Sequence, residues 1–211
     1  NFKGEWMMLA YGNNGTTGSL TIGSGGTVDR TGASSSLGIF LNNANQYGVM
    51  NMAGGTFVSP TRTVVFGNNG SGAANNVGFL NFAGGTFSTG VNVTNNVGTS
   101  TGNQVFLNFA GGTFKATSAL TAALPVTVTG QTVLATVFGA IDNSAVATGT
   151  SWTGGANFDT NGNIVYLATG LTGASGTGVT QANLSVIGGS GDNSATLNIS
   201  NLARSAGTVV N

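Results

Sequence analysis

The chain has 211 residues, 37 of them glycine, with five basic and five acidic side chains and neither cysteine nor histidine. A usual soluble domain has about a quarter of its residues charged and roughly 7% glycine. Such numbers exclude a Ser-His-Asp triad, a Cys-His pair and a Cys/His zinc site, and leave too few basic groups to grip nucleic acid or an anionic membrane. Disorder is the other fate of a chain rich in Gly, Asn, Ser and Thr, but 40% hydrophobic residues and only two prolines favour a folded core.

Residues 1–11 form an apolar segment carrying Phe2, Trp6, Met7 and Leu9. Two readings stay open for it. It is either a cap over the first unit of the fold or an arm that adds a strand to a neighbouring subunit. The chain begins at Asn1 with no initiator Met and no apolar leader, and so reads as an exported product whose signal peptide has been removed.

Residues 12–120 are organised by a repeat. MNMAGGTF occupies 50–57, LNFAGGTF occupies 80–87 and returns at 107–114, and a first copy, LTIGSGGTV, runs over 20–28. The threonines after the paired glycines are Thr27, Thr56, Thr86 and Thr113, at intervals of 29, 30 and 27 residues. LAYGNNG (9–15), IFLNNA (39–44), VVFGNNG (64–70) and VNVTNNV (91–97) each precede one copy. Each unit therefore reads as an apolar strand, an Asn-Asn turn, a variable loop, a second strand, a Gly-Gly corner and a short third strand.

One such unit cannot bury its own apolar face, but stacked units place like on like at the strand spacing of about 4.8 Å. The fold expected is an all-β parallel β-solenoid of about four coils. In it Ile22, Met52, Phe82 and Phe109 form one interior column, and Val28, Phe57, Phe87 and Phe114 another. Asn51, Asn81 and Asn108 form an amide ladder, and the four threonines a hydroxyl row. A β-propeller blade needs roughly 40 residues or more, so the units are short for one, whereas a β-sandwich stays compatible with the strand spacing. Helix is disfavoured by the glycine content and the missing 3.6-residue period.

Residues 121–211 drop the signature but keep the composition, and read as further β-rich coils or a small β domain. The charge-free stretch 120–141 is long enough for a membrane span, yet its Pro125, glycines and alternating apolar residues read as strands. VTVTGQTVLATVFG, NIVYLATGL, ANLSVIGG, ATLNISNL and the closing GTVVN read likewise, and DNSA recurs at 142–145 and 192–195.

GNNG followed by a loop and LNFAGGTF resembles the repeats of autotransporter-associated β-strand proteins and related passenger-repeat proteins of the bacterial surface. SWTGGANFDTNGNIVYLATGL (151–171) is similar to the segments between such repeats. The resemblance covers roughly residues 9–114 and implies an extracellular β-helix that displays or builds surface structures.

Candidate chemistry is sparse. No two of Glu5, Asp29, Asp142, Asp159 and Asp192 fall at strand spacing, as a carbohydrate-cleaving site would need, and no enzyme is expected. Asp29-Arg30 reads as a solvated turn pair. GGANFDTNG (154–162) approximates a calcium-binding nonapeptide and makes Asp159 a candidate metal ligand, beside the plainer reading of an Asn-Gly hairpin turn over 158–164. The threonine row reads as structural rather than ice-binding, and the Asn-x-Ser/Thr sequons at Asn14, Asn69, Asn92, Asn183 and Asn198 as chance in this composition.

No cofactor, nucleic acid or membrane insertion is expected. The expected function is that of a structural subunit at the cell surface, its partners being copies of itself. Phe2, Trp6, Met7, Leu9, Val209 and Val210 are its candidate assembly contacts. The alternative is an adhesin that binds a surface glycan through the loops at 16–19, 45–48, 70–78 and 99–104, in which Tyr47 is the one aromatic, a poor supply for a sugar-stacking platform.

Overall fold

A computed structural model describes residues 7–40, 43–67, 74–96, 100–125, 131–137, 140–142, 151–153, 156–167, 169, 171–173, 184–187, 196–199 and 202–203. Among them every regular element is a strand, and the strands form a parallel β-solenoid with three faces per turn. The first turn comprises β1 (Met7–Ala10), β2 (Thr17–Gly23) and β3 (Thr27–Asp29). The second has β4 (Leu37–Phe40) and β5 (Tyr47–Ser59), and the third β6 (Val64–Phe66) and β7 (Val77–Thr89). The fourth has β8 (Thr94–Asn95), β9 (Gln104–Phe109) and β10 (Thr113–Ala116).

Four turns carry the repeat, and the ladders then run on. β11 (Thr132–Val137) extends β9. An antiparallel pair, β12 (Ala140–Asp142) and β13 (Ser151–Thr153), interrupts the coil there, and β13 lies against β7. β14 (Ala156–Asp159) extends β10, and β15 (Ile164–Leu167) joins Leu120. β16 (Leu171–Gly173), β17 (Leu184–Ile187), β18 (Thr196–Ile199) and β19 (Leu202–Ala203) continue the three faces in parallel register. One core runs from Ala10 to Leu171 without a break at residue 120.

The register explains the repeat. Ile22, Met52, Phe82 and Phe109 are successive partners, as are Val28, Phe57, Phe87, Phe114 and, one turn further, Phe158. All nine are buried. Phe82 stacks on Phe109 with centroids 4.5 Å apart, and Phe57 on Phe87 at 4.8 Å. Phe82 also meets Phe87 and Phe114 edge-on, at 5.5 and 6.1 Å, so the two columns interlock. Such pairs add about 0.5–1.5 kcal/mol each beyond their burial.

One feature of the unit differs from expectation. In the second and third turns the Gly-Gly corner does not separate two strands, because β5 and β7 each run through it as 13 residues with a register shift at the corner. The pairing survives because glycine supplies the positive φ of the bulge, 129° at Gly54 and 69° at Gly85. A Cβ on Gly85 would lie 2.0 Å from the carbonyl oxygen of Gly55. Gly85→Ala is accordingly expected to cost more than ~2 kcal/mol in urea denaturation, from strain and backbone collision together. Gly23→Ala, where an added Cβ meets nothing within 4 Å, should stay within about 0.5 kcal/mol.

Candidate functional site

The strand after each variable loop faces two environments. Leu20, Met50, Leu80 and Leu107 point into the core column, while Thr21, Asn51, Asn81 and Asn108 alternate with them on the other side. An Asn side chain carries both a donor and an acceptor, so a column of them can pass one hydrogen bond from rung to rung. Asn108 Nδ2 donates to Asn81 Oδ1 at 2.8 Å, and Asn81 Nδ2 to Asn51 Oδ1 at 2.7 Å. Asn51 Nδ2 then donates to Thr21 Oγ1 at 3.1 Å. Asn51 and Asn81 are fully buried, whereas Thr21 is exposed and starts the ladder at the outer rung.

A second amide ladder was not legible from the GGT signature. Gln46, Asn76 and Asn103 are buried immediately before the second strand of their turns. The Gln46 backbone N–H donates to Asn76 Oδ1 at 2.6 Å, and the Asn76 N–H to Asn103 Oδ1 at 2.9 Å. Each follows a residue of positive φ, Asn45, Asn75 or Gly102. That pairing of a left-handed residue with an amide is the signal the variable loops concealed.

The threonines Thr27, Thr56, Thr86 and Thr113 do form one row on the third face, which Asn157 continues. The neighbouring row is mixed: Asp29, Val58, Ser88, Lys115 and Asp159. No uniform hydroxyl surface results. Asp159 Oδ2 lies 3.1 Å from Lys115 Nζ, and its Oδ1 accepts the backbone N–H of Asn161 at 2.9 Å. Among the described residues no three acidic groups gather to hold a metal ion.

Two local expectations are corrected. Arg30 is not solvated; it is 1% exposed, with Nη2 donating to the carbonyl of Ser35 inside the corner loop. Desolvation there lowers its pKa, and Asp29 serves the turn instead, its Oδ1 accepting the N–H of Thr31 at 2.9 Å. The loop folds back on Arg30, whose backbone N–H donates to the Val58 carbonyl and whose carbonyl accepts the Ala33 N–H, so the guanidinium is enclosed by its own corner. The Asn-Gly turn after Asp159 is likewise no hairpin. β14 and β15 pair in parallel with β10, β17 and β18 rather than with each other, so the turn is a corner of the solenoid.

Tyr47 is not an isolated aromatic. It lies on β5 with its ring 5.5 Å from Phe79, and Phe79 stacks on Phe106 at 4.8 Å. All three rings are half-buried; Phe79 and Phe106 lie face to face, whereas Tyr47 is tilted by 46° against Phe79. Desolvation raises the Tyr47 hydroxyl above its usual pKa. The folded chain thus holds this proton more firmly than the unfolded one, and stability falls as pH rises past the unfolded value of about 10. Tyr47→Phe keeps the ring contacts, so its urea midpoint should fall less than the parent's between about pH 9 and pH 11.

The candidate assembly contacts divide. Met7 and Leu9 lie in β1, which pairs with β4, and both pack partly buried against the core. Phe2, Trp6, Val209 and Val210 lie outside the described residues. The first turn leaves an edge: among the described residues β2 and β3 pair only with β5, and Thr17, Ser19 and Thr21 are exposed. No helix among the described residues is long and apolar enough to cross a membrane. Comparison with protein-family models, with curated proteins and with solved structures gives no match to this chain.

Proposed function

We propose that this chain is a structural subunit of an extracellular filament or sheet at a bacterial surface, and that its solenoid assembles with copies of itself by stacking rung on rung or by exchange of a strand. The observation that carries the reading is the edge of β2, whose backbone and Thr21 hydroxyl stand where another rung would continue both the sheet and the amide ladder. An uncovered edge templates pairing unless charge or proline blunts it, and β2, with sequence TGSLTIG, has neither. Near-zero net charge removes the repulsion that keeps proteins apart.

Sedimentation velocity at micromolar concentration tests this. Polymers that survive dilution are expected, and Thr21→Lys, which sets a charge on the edge, should dissociate them. A monodisperse monomer overturns the reading. The other reading, a glycan-binding adhesin, draws less support, since Tyr47, the one aromatic of its loops, is half-buried with its ring packed against Phe79.

A further inference from the structure

We propose that Asn161 is a self-modifying site, which the fold leaves free to deamidate through a succinimide while it locks the equivalent chemistry at Asn14. Asparagine followed by glycine is the reactive pairing, because a glycine nitrogen has no side chain to screen its attack on the asparagine amide. Two such pairs fall among the described residues, Asn14-Gly15 and Asn161-Gly162; the third, Asn69-Gly70, lies outside them.

The two pairs share sequence but not surroundings. At the first, the Gly15 N–H donates to the Ala44 carbonyl at 3.1 Å, and Asn14 Oδ1 accepts the Ala44 N–H at 3.1 Å. Both the attacking nitrogen and the amide under attack are thus held by the next turn of the solenoid. At the second, Asn161 is exposed, and among the described residues neither its side-chain amide nor the Gly162 nitrogen has a hydrogen-bond partner. An added Cβ on Gly162 would meet nothing within 4 Å, so no other coil packs against that side of the glycine. Both residues already have positive φ, 49° and 79°, in a turn tied by the Asn163 N–H to the Thr160 carbonyl at 2.9 Å.

The chemistry needs only water. The Gly162 nitrogen loses its proton to solvent and bonds to Cγ of Asn161, and Nδ2 leaves as ammonia after taking up a proton. Water then adds to one of the two succinimide carbonyls. Breaking the new N–Cγ bond yields aspartate; breaking the bond from nitrogen to the former backbone carbonyl carbon yields isoaspartate. No electron is exchanged with any partner. The product carries a negative charge two residues from Asp159, which already holds Lys115, and the isoaspartyl form lengthens the backbone of this corner by one carbon.

This inference is independent of self-assembly. Its test is peptide mapping by mass spectrometry during incubation of the full chain at mildly alkaline pH, folded and in urea. In the folded chain the Asn161 peptide is expected to gain the deamidation mass at least about tenfold faster than the Asn14 peptide, whose reaction must await local opening. In urea the two rates should converge. Asn161→Gly, which suits the positive φ, should leave the fold intact and abolish the gain at that peptide. Equal rates in the folded chain, or an Asn161 that reacts only in urea, would overturn the proposal.

Discussion

Phe82→Ala is expected to destabilise the chain by about 3–5 kcal/mol, a large part of the 5–15 kcal/mol usual for a domain. Phe82 is fully buried at the crossing of the two interior columns. Its removal deletes a stacked partner of Phe109 and edge contacts with Phe87 and Phe114, and no neighbour can close the gap without leaving its own register. The measurement is urea denaturation, read as a lower midpoint. Phe79→Ala, on the half-buried outer side of the same strand, should cost less than half as much. A similar loss for the two would mean that the columns do not dominate the core.

Asn81→Leu should cost about 2–4 kcal/mol although the shape is nearly kept, because it strands Asn51 Oδ1 and Asn108 Nδ2 on either side. Asn81→Asp separates hydrogen bonding from packing. A protonated carboxyl can donate to Asn51 and accept from Asn108, whereas the ionised form cannot donate and is buried. Its folded pKa should therefore be raised, so this variant is most stable at acid pH and loses stability as pH rises through that pKa. A variant whose urea midpoint instead falls on acidification would refute the ladder's role.

Both predictions rest on residues that the sequence pointed to. Asn51, Asn81 and Asn108 recur within an eight-residue motif, and Phe57, Phe87 and Phe114 close the same motif, so stacking like on like located both columns. The Gln46–Asn76–Asn103 ladder leaves no mark in the sequence because those residues end loops of differing length and sequence, where only backbone conformation is shared. The burial of Arg30 is hidden from the sequence for a related reason. Adjacent opposite charges imply a wet turn locally, and only the folded corner brings the Ser35 carbonyl to the guanidinium and buries it.

The continuation beyond residue 120 was legible as strands, with further coils and a small separate β domain both open, and the parallel ladders decide for coils. Phe158 takes its place beneath Phe114 without any AGGTF motif, since a rung needs only an apolar residue at the right register once a template exists above it. By itself the sequence determined the solenoid, its interior columns and its uncharged ladders, because a repeat fixes which residues become one another's neighbours. Tertiary structure alone decided which polar atoms are held. Asn14-Gly15 is clasped by the next turn and Asn161-Gly162 stands open, and Asp159 is spent on Lys115 and its own turn. Those distinctions depend on what another coil brings within hydrogen-bond distance, a property that no local run of residues encodes.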